Sequence, residues 1–265
     1  MTGGGGAGDP APSPFFTRHA RAYAESPGHA RGADLARLVD LLGTGPGLQA
    51  VDVATGTGHT ALALAACGAE VTGVDPTPAM LAEARRLAEE QGLGARCAFV
   101  AGTAEALPGG DASADIVTCR RAAHHFSDLP LALRQMRRVL RPGGRLGISD
   151  MCPEADVATA CNRLEILRDG THVRALSESE WHAALAEAGL VPVVSELTVE
   201  DIALEDWLSP VRPDAPEAEA VRRALAGLGE GERRLLCGGR PGRWLKRRLV
   251  LVAVRPEGGV GRVAG

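Results

Sequence analysis

Apolar residues in this chain follow two rhythms, and the switch between them divides it into parts. From residue 15 to 42 apolar positions recur at helical spacing, with a break at Ser26-Pro27-Gly28 that predicts two helices. Short apolar runs then alternate with amphipathic stretches. Residues 48–54, 70–74, 97–101, 116–120 and 145–149 read as strands, and 60–66, 78–91 and 129–140 as helices. An Ala-rich piece near 103–106 reads as helical without a clear phase. Strands and helices alternating through short connections predict a parallel sheet covered on both faces.

Beyond Asp150 the rhythm changes. Residues 154–170 read as a helix ending at Arg168-Asp169-Gly170, and Ser177 caps a helix over 179–188 that stops at Gly189. A strand follows at 190–199. A polar helical stretch at 204–237 is interrupted by Pro210, Pro213 and Pro216, and a final alternating strand falls at 248–255. The expected fold is therefore α/β, a seven-stranded mostly parallel sheet with an N-terminal helical lid (15–45) and helical insertions. The core would lie at 46–152, and 153–255 would complete the domain and supply the substrate pocket.

Composition narrows the classes. The chain has 265 residues, 45% of them hydrophobic but only 3% aromatic, so Leu, Val, Ile and Ala must fill the core. A net charge of −4 argues against a nucleic-acid partner, which a basic surface would serve. The nearest basic run, 240–248 with Trp244 inside it, reads as a solvated turn leading into a strand. The six cysteines are scattered without metal-ligand spacing and read as reduced, mostly buried small hydrophobes. Residues 1–14, rich in Gly and Pro, read as a disordered tail and 256–265 as a flexible one. The N-terminus lacks the basic and apolar regions of a signal peptide, and no apolar stretch reaches bilayer-spanning length. A cytoplasmic enzyme without a membrane span is the expectation, with a homodimer left open.

The chemistry concentrates in Val51-Asp-Val-Ala-Thr-Gly-Thr-Gly-His-Thr60 and Val71-Thr-Gly-Val-Asp75: a strand, a glycine turn, a helix, then a second strand ending in an acid. Gly56 and Gly58 allow a sharp bend with room for a ligand against the main chain. Asp75 is placed to accept hydrogen bonds from a ribose diol. A G-x-G-x-x-A turn alone also fits dinucleotide sites. Asp52 discriminates, because a carboxylate beside this turn repels a pyrophosphate but suits the ammonium and sulfonium of S-adenosylmethionine.

These segments, with GTAEALP, TCRRAAHHFSD and LRPGGRLGISD following in order, resemble the class I S-adenosylmethionine-dependent methyltransferases. The resemblance runs from about Phe15 to Leu190 and is strongest to the ubiquinone/menaquinone-biosynthesis C-methyltransferases. It implies S-adenosylmethionine as cofactor and S-adenosylhomocysteine as product. Asp52, Ala54, Gly56 and Gly58 match the loop under the methionine part, and Asp75 the ribose acid, with Pro76 and Met80 beside the adenine. Gly102, Thr103, Ala104 and Glu105 match the adenine-edge segment. Many relatives have Asp where Thr103 stands, and a hydroxyl is the weaker partner for the adenine amino group. Arg120 matches the tip of the fourth strand, where a main-chain carbonyl approaches the cofactor. Arg141-Pro-Gly-Gly144 matches an architectural turn.

Methyl transfer needs alignment above all, and a base when the acceptor is a hydroxyl or an activated carbon. His124 and His125, just past the fourth strand, are the candidate bases, with packed loop residues as the alternative reading. Tyr23, the only tyrosine, is assigned to the cofactor side of the lid, and His29 and His172 to the substrate pocket. The expected function is methylation of a small molecule, in secondary metabolism or quinone-like biosynthesis. The alternative is an S-adenosylmethionine-binding enzyme of the same fold that catalyses another reaction. Carbon, oxygen, nitrogen and sulfur acceptors all stay open.

Overall fold

The computed structural model describes residues 14–209 and 211–258. Most of the two expected tails, and Pro210 among the expected helix breakers, lie outside the described residues. The lid is three helices where two were expected: α1 (Pro14–Glu25), α2 (Pro27–Ala30) and α3 (Ala33–Leu42). Pro27 starts α2, as its fixed φ favours. A second break falls at Gly32, where an added Cβ would come within 2.7 Å of the Arg121 guanidinium. The chain needs a glycine there to pass close to that side chain.

The alternating part is β1 (Gln49–Val53), α4 (His59–Ala66), β2 (Glu70–Asp75), α5 (Pro78–Glu90), β3 (Cys97–Ala101), β4 (Ala114–Arg120), α6 (Leu129–Val139) and β5 (Leu140–Met151). Residues 103–106, expected to be helical, form a turn closed by a bridge between Thr103 and Ala106. The expected turn at Arg141–Gly144 is a bulge within β5: Ala114 pairs with Leu140, and Ile116 already with Arg145. Then come α7 (Ala158–Arg168), α8 (Glu178–Glu187), β6 (Val191–Ala203), α9 (Leu204–Leu208), α10 (Pro216–Ala226), α11 (Glu230–Cys237) and β7 (Arg243–Val254). Ser177 precedes α8, and its N–H donates to Glu180 Oε2 at 2.8 Å, part of a capping box.

The seven strands lie in the order β3-β2-β1-β4-β5-β7-β6. The first five pair in parallel, and β7 runs antiparallel to both neighbours. Both faces are buried, as β7 shows residue by residue. Leu249, Leu251 and Ala253 enter the core under α6 and α8, while Val250 and Val252 enter the core under α3, α4 and α5.

β6 and β7 are longer than their apolar patterns suggest. Their register continues from Val199–Arg247 to Ala203–Arg243, beyond the last pair with β5 at Met151–Arg248. This two-stranded ribbon therefore overhangs the carboxyl ends of the parallel strands. Charged residues are interspersed among its apolar ones, so no alternation announces it. A third apolar cluster, including Val157, Leu164, Trp207, Val221 and Trp244, ties α7, α9, α10 and α11 to the ribbon as a cap.

Candidate active site

The turn after β1 is shaped by backbone. Ala54, Gly56 and Gly58 have φ of 53°, 54° and 84°, so the chain doubles back into the start of α4. The two glycines serve different needs. A Cβ on Gly56 would meet nothing within 4 Å, leaving its face open, while one on Gly58 would lie 3.0 Å from Ala84 and 3.2 Å from the Phe99 ring. At the end of β2, Asp75 Oδ2 accepts the Gly56 N–H at 2.9 Å and Oδ1 accepts the Thr77 N–H at 2.8 Å. Burial pushes this carboxyl up, and each oxygen keeps lone-pair capacity for another donor.

A cavity of about 370 Å³ opens over these strand ends, within the usual range of ligand sites. Of the expected cofactor residues, Tyr23, Ala54, Gly56, Asp75, Pro76, Met80, Gly102, Thr103, Ala104, Glu105 and Arg120 line it. Asp52 and Gly58 do not. Asp52 is only 1% exposed, and its oxygens accept from the Thr55 and Thr118 hydroxyls, both at 2.6 Å. The strand aims it into the fold, so it cannot meet a cofactor ammonium directly, and burial pushes it up to about 6. Thr55, Thr57, His59 and Thr60 on the same wall escaped sequence reasoning. His59 also donates from Nε2 to the Tyr23 carbonyl at 3.3 Å, tying the lid to the first turn of α4.

A second cavity of about 450 Å³ adjoins the first, sharing Phe16, Tyr23, His29, Arg121 and His125. His124 lines it and is 8% exposed. Its Nδ1–H donates to Asp150 Oδ1 at 2.6 Å, fixing the tautomer. Among the described residues its Nε2 has no hydrogen-bond partner. Asp150, at the end of β5, also accepts from the N–H groups of Met151 and His124. Burial opposes its charge, but the His124 ring beside it, the Met151 N–H and the charge of Arg248 hold its carboxyl below the usual range.

His125 donates from Nδ1 to the Thr171 carbonyl at 3.0 Å, and burial and the neighbouring His124 push it down to about 4. His29 lines both cavities, and burial with Arg121 and Arg120 nearby pushes it to about 3. His172 lines neither. Its Nε2–H donates to Asn162 Oδ1 at 2.7 Å and its Nδ1 is buried without a partner, so it braces the loop behind His124.

Five of the eight Phe, Trp and Tyr residues line the larger cavity: Phe15, Phe16, Tyr23, Trp207 and Trp244. The two indoles stack at 4.0 Å. The basic run expected to be a solvated turn reaches the same wall through Lys246, Arg247 and Arg248. Spacing gave no hint of this, because the ribbon that carries the run is visible only once β6 and β7 pair. All six cysteines are free thiols, four of them buried. No described helix is long and apolar enough to cross a membrane.

Residues 51–148 match the methyltransferase domain family. The uncharacterised methyltransferase YcgJ of Bacillus subtilis is 38% identical over 202 residues, 76% of each chain. Its crystal structure superposes with a TM-score of 0.79 at 31% identity, covering 85% of this chain and 99% of that one. The crystal structure of a Bacillus halodurans protein described as a methyltransferase gives 0.77 at 30% identity, covering 85% and 100%. The demethylmenaquinone methyltransferase of Thermus thermophilus is 46% identical over 127 residues, 46% of this chain and 57% of that protein. The chain belongs to the class I S-adenosylmethionine-dependent methyltransferases.

Proposed function

We propose that this enzyme methylates a small molecule held in the larger cavity, with S-adenosylmethionine in the smaller one and His124 as general base. The carrying observation is the pair of adjoining cavities, with the Asp150–His124 couple on the wall of the larger. The smaller suits the cofactor: Asp75 has acceptor capacity left for a ribose diol, and the open face of Gly56 leaves space against the main chain. When bound, S-adenosylmethionine supplies an electrophilic methyl group on a sulfonium.

The chain's own residues align the acceptor and manage one proton. Nε2 of His124 takes it from the acceptor, while Asp150 holds Nδ1–H and stabilises the cation that forms. His125 stays neutral, because its Nδ1–H is spent on Thr171 and its pKa is pushed to about 4. The lid, with Phe16 and Tyr23 on both cavities, excludes water from the junction. A quinone-like or secondary-metabolite acceptor accords with the similarity to a demethylmenaquinone methyltransferase. The similarity to that relative spans little more than half of its length.

The test is release of S-adenosylhomocysteine from a panel of phenols, amines, thiols and quinone precursors, alongside calorimetry with the cofactor. Turnover with at least one class is expected. Tight binding with no product across the panel would favour the non-methylating alternative, and no binding would remove the reading.

A further inference from the structure

Asp34, on the first turn of α3, is an over-subscribed carboxylate. It accepts from Arg120 Nε and Nη2 at 2.7 and 3.0 Å, from Arg121 Nε and Nη2 at 3.1 and 2.7 Å, and from Ser149 Oγ at 3.0 Å. A carboxylate offers about four lone-pair sites, so Asp34 has none left. A third guanidinium, Arg248, stands 4.0 Å away, beyond hydrogen-bond reach. Arg248 is 9% exposed, lines the larger cavity but not the smaller, and donates no side-chain hydrogen bond among the described residues.

The charge of Asp150 also reaches Arg248, but among the described residues no carboxylate accepts a hydrogen bond from it. Asp150 is taken by His124 and two backbone N–H groups. Glu154 pairs with Arg247, and Glu165 with Arg168 and the Trp207 indole N–H. Asp169 accepts from Thr171, and Asp206 is exposed. Lys246 and Arg247 lie beside Arg248 on the same cavity wall, and Arg247 Nε is buried without a partner. A buried cation with only a long ion pair and no hydrogen-bonded partner is costly unless something of opposite charge meets it more closely.

We propose that the methyl acceptor is a small organic anion, a carboxylate or phosphate ester with an apolar body, anchored by Arg248. This rests on the reading of the larger cavity as the acceptor site. The guanidinium fork matches either anion in bidentate fashion, and Trp207, Trp244 and Phe16 offer apolar walls for the body. Arg248 faces Met151 across the β5–β7 pair, the residue next to Asp150. An anion held there places the rest of the molecule toward His124. Burial and the neighbouring Arg121 push the Arg248 guanidinium down to about 10, so it stays charged at neutral pH.

The experiment uses the full chain saturated with S-adenosylhomocysteine, titrated with benzoate, phenyl phosphate and neutral benzamide, and read by tryptophan fluorescence. At least one anion should bind tenfold or more tightly than benzamide; which one does decides between carboxylate and phosphate. Arg248→Met should reduce that preference to within twofold, leave S-adenosylhomocysteine affinity within threefold, and melt no lower than the parent. Should that variant fail to fold, Arg248→Lys keeps the charge without the fork and should still weaken the anion severalfold.

Equal binding of anion and amide, no binding of any probe, a preference that survives Arg248→Met, or anion affinity unchanged in Arg248→Lys overturns the proposal. Loss of S-adenosylhomocysteine in Arg248→Met also overturns it, by assigning the cation to the cofactor's own carboxylate. A parent protein that never binds S-adenosylhomocysteine instead fails the cavity assignment on which the proposal stands.

Discussion

The two adjoining cavities are made by opposite means. Backbone shapes the smaller: three residues at positive φ, the ends of β1 to β4, and N–H groups that fix the Asp75 carboxylate. Side chains shape the larger, carried to one place by the lid, α7, α9 and an overhanging ribbon. A site made of backbone tolerates few residue types at fixed spacing. A site made of side chains can be assembled from almost any sequence that brings the right groups together. The division of labour between the cavities, and the difference in how openly each is written in the chain, follow from this.

The sharpest way to break the division is through His124. His124→Gln keeps a polar ring-sized side chain but removes the base, so turnover should fall by roughly 10²–10⁴-fold. Calorimetry should find cofactor affinity within threefold of the parent. A comparable fall in affinity would mean that the cavities are one site energetically. Asp75→Ala should do the converse, weakening cofactor binding by about 1.5–3 kcal/mol, or roughly tenfold to 150-fold. Unchanged affinity in that variant would take the ribose away from Asp75.

The same contrast explains what the sequence revealed. The strand–turn–helix at 51–60 and the acid at 75 were legible because Gly at positive φ and an acid at a strand end have few substitutes. Asp52 shows the limit. The residue type was noticed, but its side chain turns inward to Thr118, a contact between β1 and β4 that no local pattern encodes. Within the sheet, β7 was recognised where both faces bury apolar residues, from Arg248 onward. It was missed from Arg243 to Arg247, where the ribbon is largely charged. His172 reads from sequence as a substrate-pocket residue, while its partner Asn162 becomes apparent only when α7 folds back.

Acid exposes a further difference between the halves, because three histidines in and behind the larger cavity titrate low. Burial pushes His29 to about 3 and His125 and His172 to about 4, below the unfolded value near 6.5. As pH falls from 6.5 toward 4 the unfolded chain takes up these protons first. The stability they contribute is therefore complete above about 6.5 and lost on acidification. Asp52, pushed up to about 6, and Asp75, also raised by burial, act in the opposite sense, their contribution lost as pH rises, but these two do not offset the three histidines. Urea unfolding should show lower stability at pH 4.5 than at 7.5. His172→Gln can still donate to Asn162, and should restore about 1–2 kcal/mol at pH 4.5 while changing less at 7.5. Equal recovery at both pH values would show that the unpartnered Nδ1, not protonation, is the burden.

The smallest effect tests whether the backbone-built cavity holds strain. Ala54 sits at φ 53°, a conformation that costs a non-glycine residue roughly 1–2 kcal/mol. Ala54→Gly removes that cost. It also frees the unfolded chain, worth about 0.5–1 kcal/mol in the other direction, and gives up a half-buried methyl packed against the core. The terms nearly cancel, leaving the variant between zero and about 1 kcal/mol more stable, a rise of at most about 3 °C in Tm. A clear loss of stability would mean that the Ala54 methyl contributes more through packing than its backbone loses through strain. The turn would then owe its shape partly to a side chain, and the contrast between the two cavities would be one of degree.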